Sequence, residues 1–281
     1  MSNEPPPYDV IGVNYADLRK PDPRIAVQID AALGCAKTVL NVGAGTGSYE
    51  PAARQVTAIE PSAAMIAQRA PGSAPAIQGQ AEALPFADNS FDASSAILTI
   101  HHWTDQAKGL AEMRRVTRGR IVLLTFDPMH KGSWLGDYLP QLRTLDEAQM
   151  PRMEDYARWL GPVEIASLEV PWDCSDGFLY AFWRRPEAYL DPRIRSGSSS
   201  FWKLGDTQEG LVRLAEDLRS GLWHERHSDL LARESCDVGY RLVIADSFGT
   251  CAPLNRSSSH ERTAGMDCRL WHDDGGGAHC R

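Results

Sequence analysis

The sequence predicts an α/β protein, an open and mostly parallel sheet with helices on its faces. Three observations predict it. Short aliphatic or apolar runs recur at residues 38–42, 55–59, 76–79, 91–98 and 121–126, the length of buried strands rather than helices. Stretches with apolar residues at three- and four-residue steps alternate with them, the pattern of helices crossing between parallel strands. The first run leads straight into Gly43, Gly45 and Gly47. A strand followed by a glycine loop and a helix start is a nucleotide-cofactor site in an α/β sheet, because the loop lets backbone approach a ligand closely.

The bulk properties narrow the function classes. The chain has 281 residues, 43% hydrophobic and 23% charged, an ordinary balance for a protein with a sizeable core. A net charge of −8 repels polyphosphate and argues against DNA or RNA as substrate. No run reaches the ~18 apolar residues of a membrane span, and the polar, proline-rich first eight residues are unlike a signal peptide. A cytoplasmic protein is expected. There are six cysteines, Cys35, Cys174, Cys236, Cys251, Cys268 and Cys280, and the first three are scattered without pairwise motif spacing, as expected of reduced thiols.

In chain order, Tyr8, Ile11, Tyr15 and Leu18 mark a helical face, and Asp22-Pro23 is a strong start for a second helix ending near Gly34. Tyr15 and Arg19 either close over the cofactor or simply pack and solvate that helix. Residues 55–59 form the second strand and end at Glu60, where a carboxylate accepts hydrogen bonds from ribose hydroxyls. A helix starts directly after Pro61. The fourth strand leads into Thr99-Ile-His-His-Trp103 and a helix from about residue 104 to 116, and residues 121–126 make the fifth strand.

The glycine spacing is G-x-G-x-G, not the G-x-G-x-x-G of a dinucleotide site, which counts against a nicotinamide-dependent oxidoreductase. It resembles the first motif of class I S-adenosylmethionine-dependent methyltransferases. The likeness becomes specific at Ala81-Glu-x-Leu-Pro-Phe-x-Asp-x-Ser-Phe-Asp92, then His101-His-Trp, Arg114-Arg-Val and Ile121-Val-Leu-Leu-Thr-Phe-Asp127. These are similar to the small-molecule branch that includes the ubiquinone and menaquinone C-methyltransferases, and the resemblance spans roughly residues 8–128. It implies a Rossmann-like three-layer sandwich with a seven-stranded, mostly parallel sheet and helical lid insertions. It implies S-adenosylmethionine as cofactor, held by Tyr15, Arg19, Asn41, Gly43, Ala44, Gly45, Gly47, Glu60, Pro61, Gln80, Ala81, Glu82 and Thr99. Three departures stand out: Asn41 replaces the usual acid two residues before the first glycine, Gln80 replaces the usual acid at the adenine contact, and Arg118-Gly119-Arg120 shortens the turn before the fifth strand.

By the same resemblance the acceptor is a small molecule, methylated by in-line displacement. His101 and His102 stand at the carboxyl end of the fourth strand, where α/β sheets place ligands. They are the candidate catalytic residues, either as a general base or, the favoured reading, as walls of the pocket. Trp103, Trp134, Tyr138 and Arg184 are candidate substrate contacts. The methyltransferase domain is expected over residues 1–247, with N-terminal helices 8–34, a cofactor-binding core 36–128, a helical lid 131–160 and an insert 174–235 within the terminal strand hairpin. The insert's aromatics and Arg184-Arg185 suit either a lid or a helical subdomain with solvated arginines. Residues 248–281 lose apolar periodicity and are expected to be a disordered tail. Its Cys268, His272, His279 and Cys280 match no compact zinc spacing, and no metal site is expected. A catalytically inactive scaffold of the same fold is the main alternative, weighed against by the retained glycines and Glu60.

Overall fold

In the computed structural model, seven strands form one sheet in the order β3-β2-β1-β4-β5-β7-β6. The structure describes residues 15–131 and 133–246, with the side chains of Tyr15 and Ala16 outside that description. The chain divides into two units, Met1–Cys251 and Ala252–Arg281, and the second, with the tail's Cys and His residues, lies wholly outside the described residues.

The strands are β1 (Thr38–Val42), β2 (Gln55–Glu60), β3 (Ala76–Gln78), β4 (Phe91–Ile97), β5 (Thr117–Phe126), β6 (Val163–Pro171) and β7 (Ser235–Ala245). β1 to β5 pair in parallel, while β7 runs antiparallel to both β5 and β6. The order reverses between β1 and β4, and the crevice at that reversal is where such sheets bind ligands.

Alternation along the strands builds two cores. Val39, Val122 and Leu124 face one layer together with Ile25 and Ile29. Leu40, Val42, Ile121 and Leu123 face the other, with Leu110 and Met113. A side-chain period of two sorts these residues to opposite faces, so the buried part of β5, residues 121–124, reads as continuous aliphatic sequence.

The helices start where their caps dictate. α1 is a single turn, Tyr15–Leu18, and α2 is Pro23–Ala32, capped by the Asp22 carboxylate accepting from the Arg24 amide. Ser62 caps α3 (Ala63–Ala67) through the Met65 amide, and Asp105 caps α4 (Gln106–Val116) through the Lys108 amide. Between β5 and β6 lie α5 (Leu135–Tyr138), α6 (Gln141–Gln149) and α7 (Met153–Leu160). Between β6 and β7 lie α8 (Pro192–Arg195), α9 (Ser199–Lys203), α10 (Gln208–Ser220), α11 (Leu222–Arg226) and α12 (Ser228–Leu231).

The expected turn at Arg118-Gly119-Arg120 is corrected: β5 begins at Thr117, immediately after α4, and these residues belong to the strand. A register shift between Phe91 and Ala93 accommodates them, and a Cβ on Gly119 would lie 2.3 Å from the Asp92 carbonyl oxygen. Most of the insert's aromatics are core, whereas Trp202 is exposed. Phe178, Tyr180, Trp183 and Tyr189 are buried in one cluster with Trp134 and Trp223.

Candidate active site

The glycine loop sits at the carboxyl end of β1, with Glu60 beside it at the end of β2. Glu60 is buried, and its two oxygens accept from the Gly45 amide at 2.8 Å and the Ser62 amide at 2.9 Å. Gly43 has φ +68°, and a Cβ there would fall 2.2 Å from Thr99 Oγ1, which brings the end of β4 against the loop. At Gly45, φ is +52° and the nearest atom to an added Cβ is Met65 Cε at 3.4 Å, so the loop presents bare backbone to an open side.

A buried ion pair fixes this loop from below. Arg69 Nη2 donates to Glu50 Oε2 at 2.7 Å, and Arg69 Nη1 reaches the Gly45 carbonyl at 3.3 Å. Asn41 Nδ2 donates to Glu50 Oε1 at 3.1 Å, which leaves Asn41 Oδ1 buried with no hydrogen-bond partner among the described residues. An unpaired buried acceptor costs about 1–3 kcal/mol, so one aimed at a ligand-binding edge marks a missing donor. S-adenosylmethionine, which brings ammonium and ribose hydroxyl donors, fits a loop with these two acceptors and bare backbone at Gly45.

A strap of chain crosses the loop. Arg19 Nε donates to Asp176 Oδ1, and Tyr49 Oη donates to Asp176 Oδ2 at 2.9 Å. Asp176 is fully buried, and the burial of Tyr49 beside this carboxylate pushes its phenol well above the usual range. Leu98 adopts φ +51° where β4 ends. Thr99 precedes the turn Ile100–His102, and the rings of His101 and His102 stand 3.9 Å apart between centroids. Both keep some accessible surface although deep in the protein, as side chains lining a recess do. Burial holds His101 well below the ordinary imidazole value, with His102, Lys203 and Arg19 adding to it. Burial, then Lys203 and Arg19, lowers His102 to about 3.

The expected site residues separate into two groups. Arg19, Asn41, Gly43, Ala44, Gly45, Gly47, Glu60, Thr99, His101 and His102 gather at the β1, β2 and β4 ends or face one another there. Pro61 follows Glu60, Gln80 is exposed and precedes the turn Ala81–Ala83, and Ala81 is buried beneath that turn. Tyr15's side chain lies outside the described residues. Others are engaged elsewhere. Glu82 accepts from the Thr104 and Asp105 amides, fixing the entry to α4. Trp103 packs onto α4, where a Cβ on Gly109 would lie 2.5 Å from its ring.

The expected substrate contacts Trp134, Tyr138 and Arg184 all make hydrogen bonds within the protein. Trp134 Nε1 donates to the Trp183 carbonyl at 2.7 Å, and Tyr138 Oη donates to Asp217 at 2.7 Å. Arg184 donates to the Arg233 carbonyl and stacks on Trp172 at 4.8 Å. Each has its polar end satisfied within the insert or the edge strands.

Fold and site together define an α/β protein that takes a nucleoside-bearing cofactor across the ends of β1, β2 and β4. Residues 40–123 match the methyltransferase domain family. A solved structure of a candidate methyltransferase from an antibiotic biosynthesis pathway of Anabaena variabilis is 35% identical, covering 81% of this chain and 98% of that one, with a TM-score of 0.75. The chain therefore belongs to the class I S-adenosylmethionine-dependent methyltransferase family. A demethylmenaquinone methyltransferase of Renibacterium salmoninarum is 41% identical over 96 residues, 31% of this chain and 40% of that protein. The uncharacterized protein YafE of Escherichia coli is 34% identical over 131 residues, 44% of this chain and 63% of that protein. The chain thus spans less than two thirds of the length of either curated relative. No helix among the described residues is long and apolar enough to cross a membrane.

Proposed function

We propose that this chain transfers the methyl group of S-adenosylmethionine to a small-molecule acceptor by in-line displacement, working in the cytoplasm. The observation that carries the reading is the unpartnered Asn41 Oδ1 beside a glycine loop that ends against the Glu60 carboxylate. The bound cofactor supplies an already activated methyl, so the protein's contribution is orientation and exclusion of water. Glu60 would accept from the ribose hydroxyls, Asn41 Oδ1 from the ammonium group, and Gln80 from the adenine amine. Gly43, Ala44, Gly45 and Gly47 would admit the cofactor close to the backbone, with Thr99 against Gly43. Pro61 and Ala81 would flank the nucleoside, and Arg19 would close over it from the strap. His101 and His102 would wall the passage from cofactor to acceptor as neutral imidazoles.

The names of the quinone-methylating relatives favour a ring-bearing, largely apolar acceptor. The net charge of −8 favours a metabolite over nucleic acid. Calorimetry with S-adenosylmethionine, S-adenosylhomocysteine, NAD and ATP tests the cofactor. Binding of the first two alone is expected, and binding of NAD without either would remove the reading. A screen of metabolite fractions with methyl-labelled cofactor then identifies the acceptor.

A further inference from the structure

Above the end of β5 lies a carboxylate that the cofactor site does not use. Asp146, on α6, is only 3% exposed, and its Oδ2 accepts from Tyr180 Oη at 2.8 Å. Among the described residues it forms no ion pair with Lys, Arg or His, and Oδ1 has no hydrogen-bond partner. A buried carboxylate ordinarily takes a cation or several donors, so one held by a single phenol is left short of partners. Burial pushes its carboxyl up to about 6.

Its surroundings are aromatic. Tyr180 stacks against Phe126, the last residue of β5, at 5.0 Å between centroids, and Phe126 meets Tyr240 at 5.5 Å. Tyr240 Oη accepts from the Tyr180 amide. One helical turn from Asp146 on the same face, Gln149 connects this region to the β4 end. Its carbonyl accepts from Gln106 Nε2, which also reaches the Ile100 carbonyl just before the His pair. Lys203, on α9, donates to Gln149 Oε1 at 2.8 Å rather than to Asp146. Arg19 bears electrostatically on both the His pair and Tyr240, as Asp146 does on Tyr240, which joins the two groups in one neighbourhood. The groups facing Asp146 are thus Tyr180 directly and Tyr240 behind it, with Arg19 beyond.

Resting on the methyltransferase reading above, we propose that Asp146 is a catalytic residue on the acceptor side. It receives a hydrogen bond, and then the proton, from a hydroxyl on the acceptor's ring, with Tyr180 fixing the carboxylate's orientation. The acceptor is a phenol or enol whose hydroxyl reaches Asp146 at the edge of the packed Phe126, Tyr180 and Tyr240 rings. As the acceptor's electron pair, on oxygen or on the ring carbon conjugated to it, forms the bond to the methyl carbon, the hydroxyl proton passes to Asp146 Oδ1. The pair of the broken carbon–sulfur bond stays on sulfur. One sulfonium charge and one carboxylate charge are lost together, so the step balances without another reactant. A neutral carboxylic acid then remains in an apolar site that favours it.

The test uses the full chain saturated with S-adenosylhomocysteine and 4-nitrophenol as probe at neutral pH. The expected result is that bound probe loses its phenolate absorption, because without a methyl donor the phenol keeps its proton and donates it as a hydrogen bond to the ionised carboxylate. Asp146→Asn should bind the product cofactor unchanged but lose the band change and at least tenfold in probe affinity. Tyr180→Phe, which keeps the carboxylate, should retain the band change, so the inference stays testable if the Asn variant folds poorly. An equal band change and affinity in wild type and Asp146→Asn would overturn it. So would cofactor binding with no probe binding in the wild type, which leaves the methyltransferase reading intact. Failure to bind S-adenosylhomocysteine at all would overturn both.

Discussion

Tyr49 Oη donates to Asp176 Oδ2 at 2.9 Å, tying the end of the glycine loop to the segment that follows β6. The same carboxylate receives Arg19 from the N-terminal strap, and the Gly177 amide donates to the Leu18 carbonyl at 3.0 Å. Three distant stretches thus meet on one buried acid beside the cofactor site. Tyr49 holds φ +62° to reach it, a conformation uncommon for a side chain of its size.

Tyr49→Phe should lose one neutral-to-charged hydrogen bond while Arg19 keeps Asp176 compensated, a loss of about 1–3 kcal/mol in urea denaturation. Asp176→Ala should lose more, about 3–5 kcal/mol, because it removes both the ion pair with Arg19 and the acceptor of Tyr49. Equal effects of the two variants would show that the hydroxyl, not the ion pair, secures the strap.

Two glycines of the loop should respond differently to substitution. Gly43→Ala forces a Cβ to within 2.2 Å of Thr99 Oγ1 at positive φ, so both the melting temperature and cofactor affinity should fall. At Gly45 the strained φ remains but the added atoms enter open space. Gly45→Val should therefore abolish cofactor binding with the smaller loss of thermal stability, read by calorimetry and by melting on the same samples.

Glu60→Gln keeps the shape but removes the charge behind the ribose contacts. Charge-assisted hydrogen bonds contribute about 1.5–3 kcal/mol each, so cofactor affinity should fall by roughly 10- to 100-fold. The two amides that Glu60 accepts in the protein itself, from Gly45 and Ser62, should make the variant less stable as well. Unchanged affinity in titration calorimetry would place the ribose elsewhere.

The cofactor half of this site was legible in the sequence because its chemistry is local. Glycine spacing, a strand ending in Glu60 and the Thr99-Ile-His-His-Trp103 turn each lie within a few residues, and backbone geometry alone brings them to one edge. The acceptor half was not legible. Asp146 and Tyr180 come from separate insertions whose packing no periodicity specifies, and Asp146 reads as one more polar residue of an amphipathic helix. The partners of the aromatic residues were not legible for the same reason: Trp134 and Tyr138 hydrogen-bond to Trp183 and Asp217, which lie far along the chain. Glu82, placed at the cofactor by its motif, also accepts from the Thr104 and Asp105 amides at the start of α4.

Asp146 should make the fold less stable as it ionises. Burial raises its carboxyl from 3.8 to about 6, so the protonated form favours the folded chain. That contribution is complete below about pH 3.8 and is lost as pH rises through about 6. Asp146→Asn should therefore gain stability over wild type as pH rises from about 4 to 7, by about 2–3 kcal/mol. Urea titrations at both ends of that range check it. A constant difference between the two proteins would mean that Asp146 stays ionised throughout.

The final prediction separates positioning from proton transfer at the His pair. Burial depresses both imidazoles, His102 to about 3, so each is neutral at neutral pH. A group whose conjugate acid is that strong accepts a proton poorly, and loss of a true general base lowers turnover by roughly 10²–10⁴-fold. His101→Gln and His102→Gln should instead lower cofactor affinity and turnover together, by a modest factor, with whichever acceptor the labelled-methyl screen returns. Stability gives an independent reading. A depressed imidazole binds fewer protons folded than unfolded, so its share of stability is complete above about pH 6.5 and lost as pH falls toward 3. His102→Gln should flatten that acid slope. In the pH dependence of turnover, any limb near 6 should survive both His variants and disappear in Asp146→Asn. A limb that vanishes with His101 or His102, at unchanged cofactor affinity, would return the proton to the imidazole.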